Sequence, residues 1–295
     1  MALISKNELT SIERQMYNKA RDIDVALFNY ITGQMNSESV GYGLTMYQNK
    51  DGGFGHGLHN DNLNPNSTVF QTLEALKYIS LSSLDLTNEE NSQMIKKIFN
   101  YLYNKNTNYS TYDESNSGFA CSKAYQNKLL AVDLLPEVIG RTISLLDSKS
   151  PYYRKALALL DKTDNNLLNR DSLSFIELQS YHILYQALEK KNIEFNQEAY
   201  YYYIKLRNQY IENLSISDYN YFEILELLDD RFEYNDKINE ALNVMKSELK
   251  SHGLFEATTT WDNDYPEAES AKLKWLGTRT VFNIILFNKF HEIEE

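Results

Sequence analysis

The chain has 295 residues, 42% of them hydrophobic, a formal net charge of −12 and a single cysteine. That apolar share suffices for a substantial core and excludes a disordered chain, while the acidic balance, with no Lys/Arg cluster to neutralise phosphates, excludes a nucleic-acid-binding surface. Cys121 alone cannot form an intramolecular disulfide, residues 1–14 carry no apolar run long enough for a signal peptide, and no later run reaches the ~20 apolar residues of a membrane span, so a cytoplasmic location without a membrane span is expected.

Helical periodicity dominates in chain order. Leu9, Ile12, Met16, Ile23, Leu27 and Tyr30 recur at helical steps and predict one long first helix, with Ser5 and Glu8 placed as a capping box at its start. Val40, Leu44 and Tyr47 predict a shorter second helix. Pro65 to Ser67 opens a third with Leu73, Leu76 and Ile79 on one side, and Thr87 with Glu90 caps a fourth that turns Met94, Ile98 and Tyr101 inward. Pro136 marks a break or a helix start within 122–146, and Ser150-Pro151 reads as an N-cap followed by proline at the first helical position. Further helices are predicted near 174–189, 197–212, 219–228, 236–250 and 271–291, and strand-like alternation is nearly absent. No Ser/Gly/Pro-rich linker or charge block divides the chain, so 1–295 reads as one domain, with its longest irregular segments at 105–122 and 251–270.

Four of the eleven glycines fall between Asp51 and Asp61, directly after a helical pattern. Gly52 and Gly53 predict a tight turn with positive φ at one of them, Gln48 is placed to bond backbone at a neighbouring helix terminus, and Phe54 to pack between hairpins. The spacing Gln48-x-x-x-Gly52-x-Phe54 resembles the repeat signature of the terpene cyclase and protein prenyltransferase superfamily. Tyr47 to Leu58 with Asn64 to Ser67, Thr72, Ala75 and Leu76, and Trp261 to Ala268 with Trp275, Gly277 and Thr280, are similar to motifs of its bacterial, squalene cyclase-like branch. The resemblance implies an all-α fold, an (α/α)6 toroid of six concentric helical hairpins. Where that branch carries Glu-Pro after Gly-Leu, this chain has His59-Asn60 and keeps Asp61.

The best-known chemistries of that superfamily lack their residues here. Asp262-Asn-Asp264-Tyr265 supplies only half of the Asp-x-Asp-Asp motif with which squalene-type cyclases protonate an alkene. Cys121 follows Phe119-Ala120 rather than the Asp-x-Cys of the prenyltransferase zinc site, and Ala124 stands where a thioester glutamine would be. His56, His59 and Asp61 are metal-ligand types at short spacing, which reads instead as loop histidines making hydrogen bonds, so no metal site is assigned. Asp229-Asp230-Arg-Phe-Glu233 mimics a diphosphate-binding element but follows a helical run, where it ends a helix and solvates a turn.

The remaining concentration of chemistry lies in two segments that a closed ring of hairpins brings to one mouth. Asp51, His56, His59 and Asp61 are expected to face Trp261, Asp262, Asp264, Tyr265, Glu267 and Arg279, with Asp61 or Asp264 as the acid/base residue and Asp262 and Glu267 as further carboxylates. The second group reads equally as an acidic helix N-terminus with Trp275 in the core. Three functions are open: an enzyme or binder acting on a hydrophobic isoprenoid-like small molecule in a central cavity, a carbohydrate-active toroid using paired carboxylates, and a noncatalytic scaffold. Nothing in the sequence names a cofactor or an oligomeric state.

Overall fold

The computed structural model describes residues 4–104, 108–217, 220–230, 232, 234–256, 261 and 265–294. Their regular structure is all-α: α1 (Lys6–Lys19), α2 (Asp22–Ile31), α3 (Glu38–Thr45), α4 (Val69–Leu81), α5 (Glu89–Asn104), α6 (Lys123–Gln126) and α7 (Leu135–Leu145). There follow α8 (Pro151–Leu157), α9 (Leu160–Leu168), α10 (Phe175–Lys190), α11 (Gln197–Asn213), α12 (Tyr221–Leu227), α13 (Asn235–His252) and α14 (Glu267–Lys289). β-Pairing among the described residues is limited to isolated bridges. No helix of the described residues is long and apolar enough to cross a membrane.

The chain divides into two compact units. The first comprises Met1–Met46, Leu81–Leu84 and Ser215–Glu295, and the second Tyr47–Ser80 and Asp85–Leu214.

In the first unit, the capping box predicted at Ser5 is present. The Ser5 hydroxyl accepts from the Glu8 N–H, and the Glu8 carboxylate accepts from the Ser5 N–H at 2.8 Å. The single long first helix is corrected to two, because Ala20 and Arg21 adopt extended backbone between α1 and α2. The break is fixed by α14: Ala20 lies against Gly277, where a Cβ would stand 2.9 Å from the Ala20 Cα, so only glycine lets the two backbones approach. Arg21 then donates to Asp24 at 2.8 Å and to Thr278 at 2.9 Å, which makes the kink an attachment point. Ile4 pairs with Ile293 in a parallel bridge, its N–H donating to the Glu292 carbonyl at 2.8 Å and its carbonyl accepting from the Glu294 N–H at 2.9 Å.

In the second unit, α5 starts as its pattern predicts, but the cap belongs to Asn88, whose side chain accepts from Glu90 N–H at 2.9 Å, while Thr87 bonds Asp85. Pro136 sits in the first turn of α7, and Ser150 caps α8 with Pro151 at its first position, both as the sequence indicates. Helix α9 is an addition to the predicted set. It buries Thr163, Asp164 and Leu167, a polar inner face that hides the helical hydrophobic period.

Candidate functional site

The glycine-rich loop is built around one carboxylate. Asp51 accepts from the Gly53 N–H at 3.0 Å and from the Ser67 hydroxyl at 2.6 Å, closing a turn in which Gly52 has φ +95°. Phe54 is fully buried and bridges both Gln48 and Thr68, so the loop folds back on itself. Gln48 donates to the Gly52 carbonyl at 3.1 Å and to the Met94 carbonyl within α5 at 3.4 Å; its neighbouring-helix partner is thus an interior turn rather than a terminus. Asn49 donates to the Pro65 carbonyl at 2.9 Å, which orients its amide so that the oxygen accepts from His56 Nε2 at 2.9 Å. Exposed His56 therefore carries its proton on Nε2 at this contact.

A second Asp–Ser pair completes a cleft with the first. Asp113 accepts from the Ser115 N–H at 3.0 Å and the Ser115 hydroxyl at 2.7 Å, and Ser115 in turn accepts from Asn64 at 2.7 Å. Asn49, Asp51, Asn66, Ser67, Asp113 and Ser115 line an open cleft of about 350 Å³. Tyr101 bonds the Ser67 carbonyl at 3.0 Å, and burial together with the charges of Asp113 and Asp51 pushes its phenol far up, which places both carboxylates near one ring.

His59 and Asp61 point into a different environment of the same unit. The His59 ring lies 4.7 Å from Phe70 and 5.4 Å from Tyr125, which stack on each other at 4.9 Å, and His59 Nδ1 accepts from the Asp61 N–H at 3.4 Å. Burial, with the charges of Asp61 and Glu74 adding to it, holds the Tyr125 phenol protonated. Phe70, Glu74 and Lys77 share one face of α4 by helical spacing. Glu74 and Lys77 also act on Glu137 of α7: burial pushes its carboxyl up, while Arg141, hydrogen-bonded at 3.1 Å, and Lys77 oppose the rise and Glu74 reinforces it. A chain of ionisable side chains thus extends the His59–Tyr125 cluster along the second unit.

The other predicted site residues belong to the first unit, and Asp262 and Asp264 lie outside the described residues. Trp261 is buried and meets Tyr265 edge to face at 6.3 Å. Glu267 is exposed in the first turn of α14, where the helix dipole favours a carboxylate, in keeping with the acidic N-terminus expected there, whereas Trp275 is half-buried rather than in the core. Arg279 is a buried tie: it donates to Glu248 at 2.9 and 3.0 Å, to the Tyr221 hydroxyl at 2.8 Å and to the Glu256 carbonyl, and its guanidinium lies 5.2 Å from the centre of the Tyr221 ring. Asp230 accepts from the Phe232 N–H in the turn after α12, and Asp229 pairs with Lys289 at 3.7 Å, the helix-ending role expected of that acidic run; Arg231 and Glu233 lie outside the described residues.

Within the second unit the structure therefore joins Asp51 and His56 through Asn49 and Ser67, and His59 and Asp61 around Tyr125. Sequence reasoning missed Asp113 and Ser115 as partners of Asp51; the only signal was that they fall in the irregular 105–122 segment. Among the described residues no group of three His, Cys, Asp or Glu side chains stands close enough to hold a metal ion. The chain matches no protein-family model, no curated protein and no solved structure.

Proposed function

We propose that this chain is a cytoplasmic α/α-toroid protein of the terpene cyclase and protein prenyltransferase superfamily that binds a hydroxyl-rich small molecule, of carbohydrate type, in the Asp51–Asp113 cleft. The supporting observation is the pair of Asp–Ser couples lining one open cleft with Asn49 and Asn66. Carboxylates accept from adjacent sugar hydroxyls, amides both donate and accept, and a volume of about 350 Å³ suits a one-ring ligand. Two carboxylates flanking a sugar are also the equipment for acid/base cleavage of a glycosidic bond. A binding screen of mono- and oligosaccharides against the full chain, with release of reducing sugar as a second readout, tests the proposal. Asp51→Asn and Asp113→Asn, which keep the turn acceptors, should each weaken sugar binding about tenfold or more, the range of a lost charge-assisted hydrogen bond.

A second reading rests on the aromatic cluster. His59, Phe70 and Tyr125 with nearly buried Asp61 resemble an apolar wall beside an acid, as an isoprenoid-like ligand requires. Binding of a prenyl diphosphate that is weakened by Phe70→Ala and untouched by Asp113→Asn would favour it over the carbohydrate reading.

A further inference from the structure

The second unit holds another cavity, of about 220 Å³, that none of the readings above uses. Its walls come from the last turn of α9 and the chain beyond (Asn166, Asn169, Arg170, Leu173), from the first turns of α10 (Glu177, Tyr181) and from Asp133 just before α7. The local folding explains why these side chains meet. Ser174 and Glu177 form a capping box that starts α10, and the same Glu177 carboxylate accepts from Arg170 at 2.8 Å. The Tyr202 hydroxyl donates to the Arg170 carbonyl at 2.8 Å and pins the connection between the helices. Asp133, two residues before α7, accepts from the Leu135 N–H at 2.9 Å.

The lining is polar on both signs. Arg170 is half-exposed and spends one guanidinium nitrogen on Glu177, so the rest of its planar fork is available to a ligand carboxylate. Asp133 accepts from the neutral Leu135 N–H and Asn166 amide, and among the described residues no cation hydrogen-bonds it, Lys162 acting on it through its charge alone. The C-terminal end of α9 favours positive charge and the N-terminal end of α10 favours negative charge, and both ends open on the cavity. Leu173 and Tyr181 add apolar surface.

We infer that this cavity binds a free α-amino acid as its zwitterion, the carboxylate on Arg170 and the ammonium on Asp133 with Asn166 and Asn169, its side chain lying against Leu173 and Tyr181. Burial pushes the Asp133 carboxyl up and the Glu177 charge adds to it, while the Leu135 N–H, the Lys162 charge and the Asn166 amide oppose the rise; a ligand ammonium in the cavity would oppose it further. The reading is independent of the carbohydrate proposal, whose cleft shares no residue with this cavity.

Calorimetry and thermal-shift measurements on the full chain with a panel of L-amino acids test it. At least one should bind, and its decarboxylated amine and its deaminated acid should each bind about tenfold more weakly or not at all. Arg170→Gln should weaken the amino acid about tenfold while leaving the amine analogue unchanged, and Asp133→Asn should do the converse for the acid analogue. Asn169→Phe, at an exposed rim position, should block binding without altering the circular-dichroism spectrum. Failure of every amino acid to bind, equal binding of the amine or the acid, or full binding by Arg170→Gln with intact structure would overturn the assignment.

Discussion

Gly52 satisfies two constraints at once, a φ of +95° and a close pass beneath the Lys97 carbonyl of α5, into which a Cβ would project. Backbone strain alone costs an L-residue about 1 kcal/mol there, and the contact with a carbonyl inside a helix cannot be relieved by a rotamer change. Gly52→Ala should therefore lose roughly 1–3 kcal/mol in urea unfolding, and an unchanged midpoint would refute the turn geometry. Asp164 gives a prediction of opposite sign. Burial pushes its carboxyl up to about 6, the Tyr185 hydroxyl opposes the rise and Asp161 adds to it. Between its ordinary value of 3.8 and about 6 the folded protein holds a proton that the unfolded chain releases, so stability falls as pH rises through that window. Asp164→Asn should melt higher than the parent at pH 7, and the advantage should vanish below about pH 4.

At the level of elements, α12, α13 and α14 are tied by charge as well as by apolar packing. Glu248 of α13 accepts two hydrogen bonds from Arg279 of α14 and one, at 3.0 Å, from Tyr221 of α12, and Asn283 donates to the same phenol at 2.6 Å. Both partners are nearly buried, so Arg279→Met strands the Glu248 carboxylate and should cost about 3–5 kcal/mol, measurable as a lowered unfolding midpoint. The helix pair α1 and α13 carries a pH-dependent analogue. Burial pushes the Glu8 carboxyl up, but the Lys246 hydrogen bond at 2.8 Å, the capping bonds of Ser5 and the Lys246 charge outweigh it and bring it to about 2. Because the folded value lies below the ordinary 4.5, this contribution is complete above about pH 4.5 and is lost as pH falls towards 2; Glu8→Gln should flatten that part of the stability profile. The signals that place helices in advance are local ones: Ser5 with Glu8 and Ser150 set boundaries through bonds made within four residues, and Pro136 and Pro151 through their fixed φ and missing N–H. What the letters hid was set at long range. The break at Ala20 depends on Gly277, and α9 presents Thr163 and Asp164 to the interior where a periodicity search looks for apolar side chains. The same division runs through the candidate cleft, since Asp51 announces itself by the glycines it organises while Asp113 is a polar residue in an irregular segment until folding sets it near Tyr101.

At the scale of the molecule, the all-α architecture predicts a far-UV circular-dichroism spectrum with helical minima and no sheet component. The pairing of Ile4 with Ile293 makes the first unit depend on segments from both ends of the numbering. Ile4 is fully buried, so removing residues 290–295 should expose it, lower the melting temperature and speed hydrogen exchange at the Ile4 amide, whose acceptor is the Glu292 carbonyl. The order of the segments also has a consequence for synthesis on the ribosome. Helices α1 to α3 are made before the second unit, yet the α12 to α14 segment that completes their own unit is translated only after the whole of Tyr47–Leu214. At the usual pace of translation α1 to α3 wait for many seconds with apolar faces unpaired, while the unit encoded between the two halves can already close. The nascent chain is thus expected to recruit holding chaperones to α1–α3 rather than to the second unit, and stalling translation just past α11 should yield a protease-resistant second unit with α1–α3 still protease-sensitive.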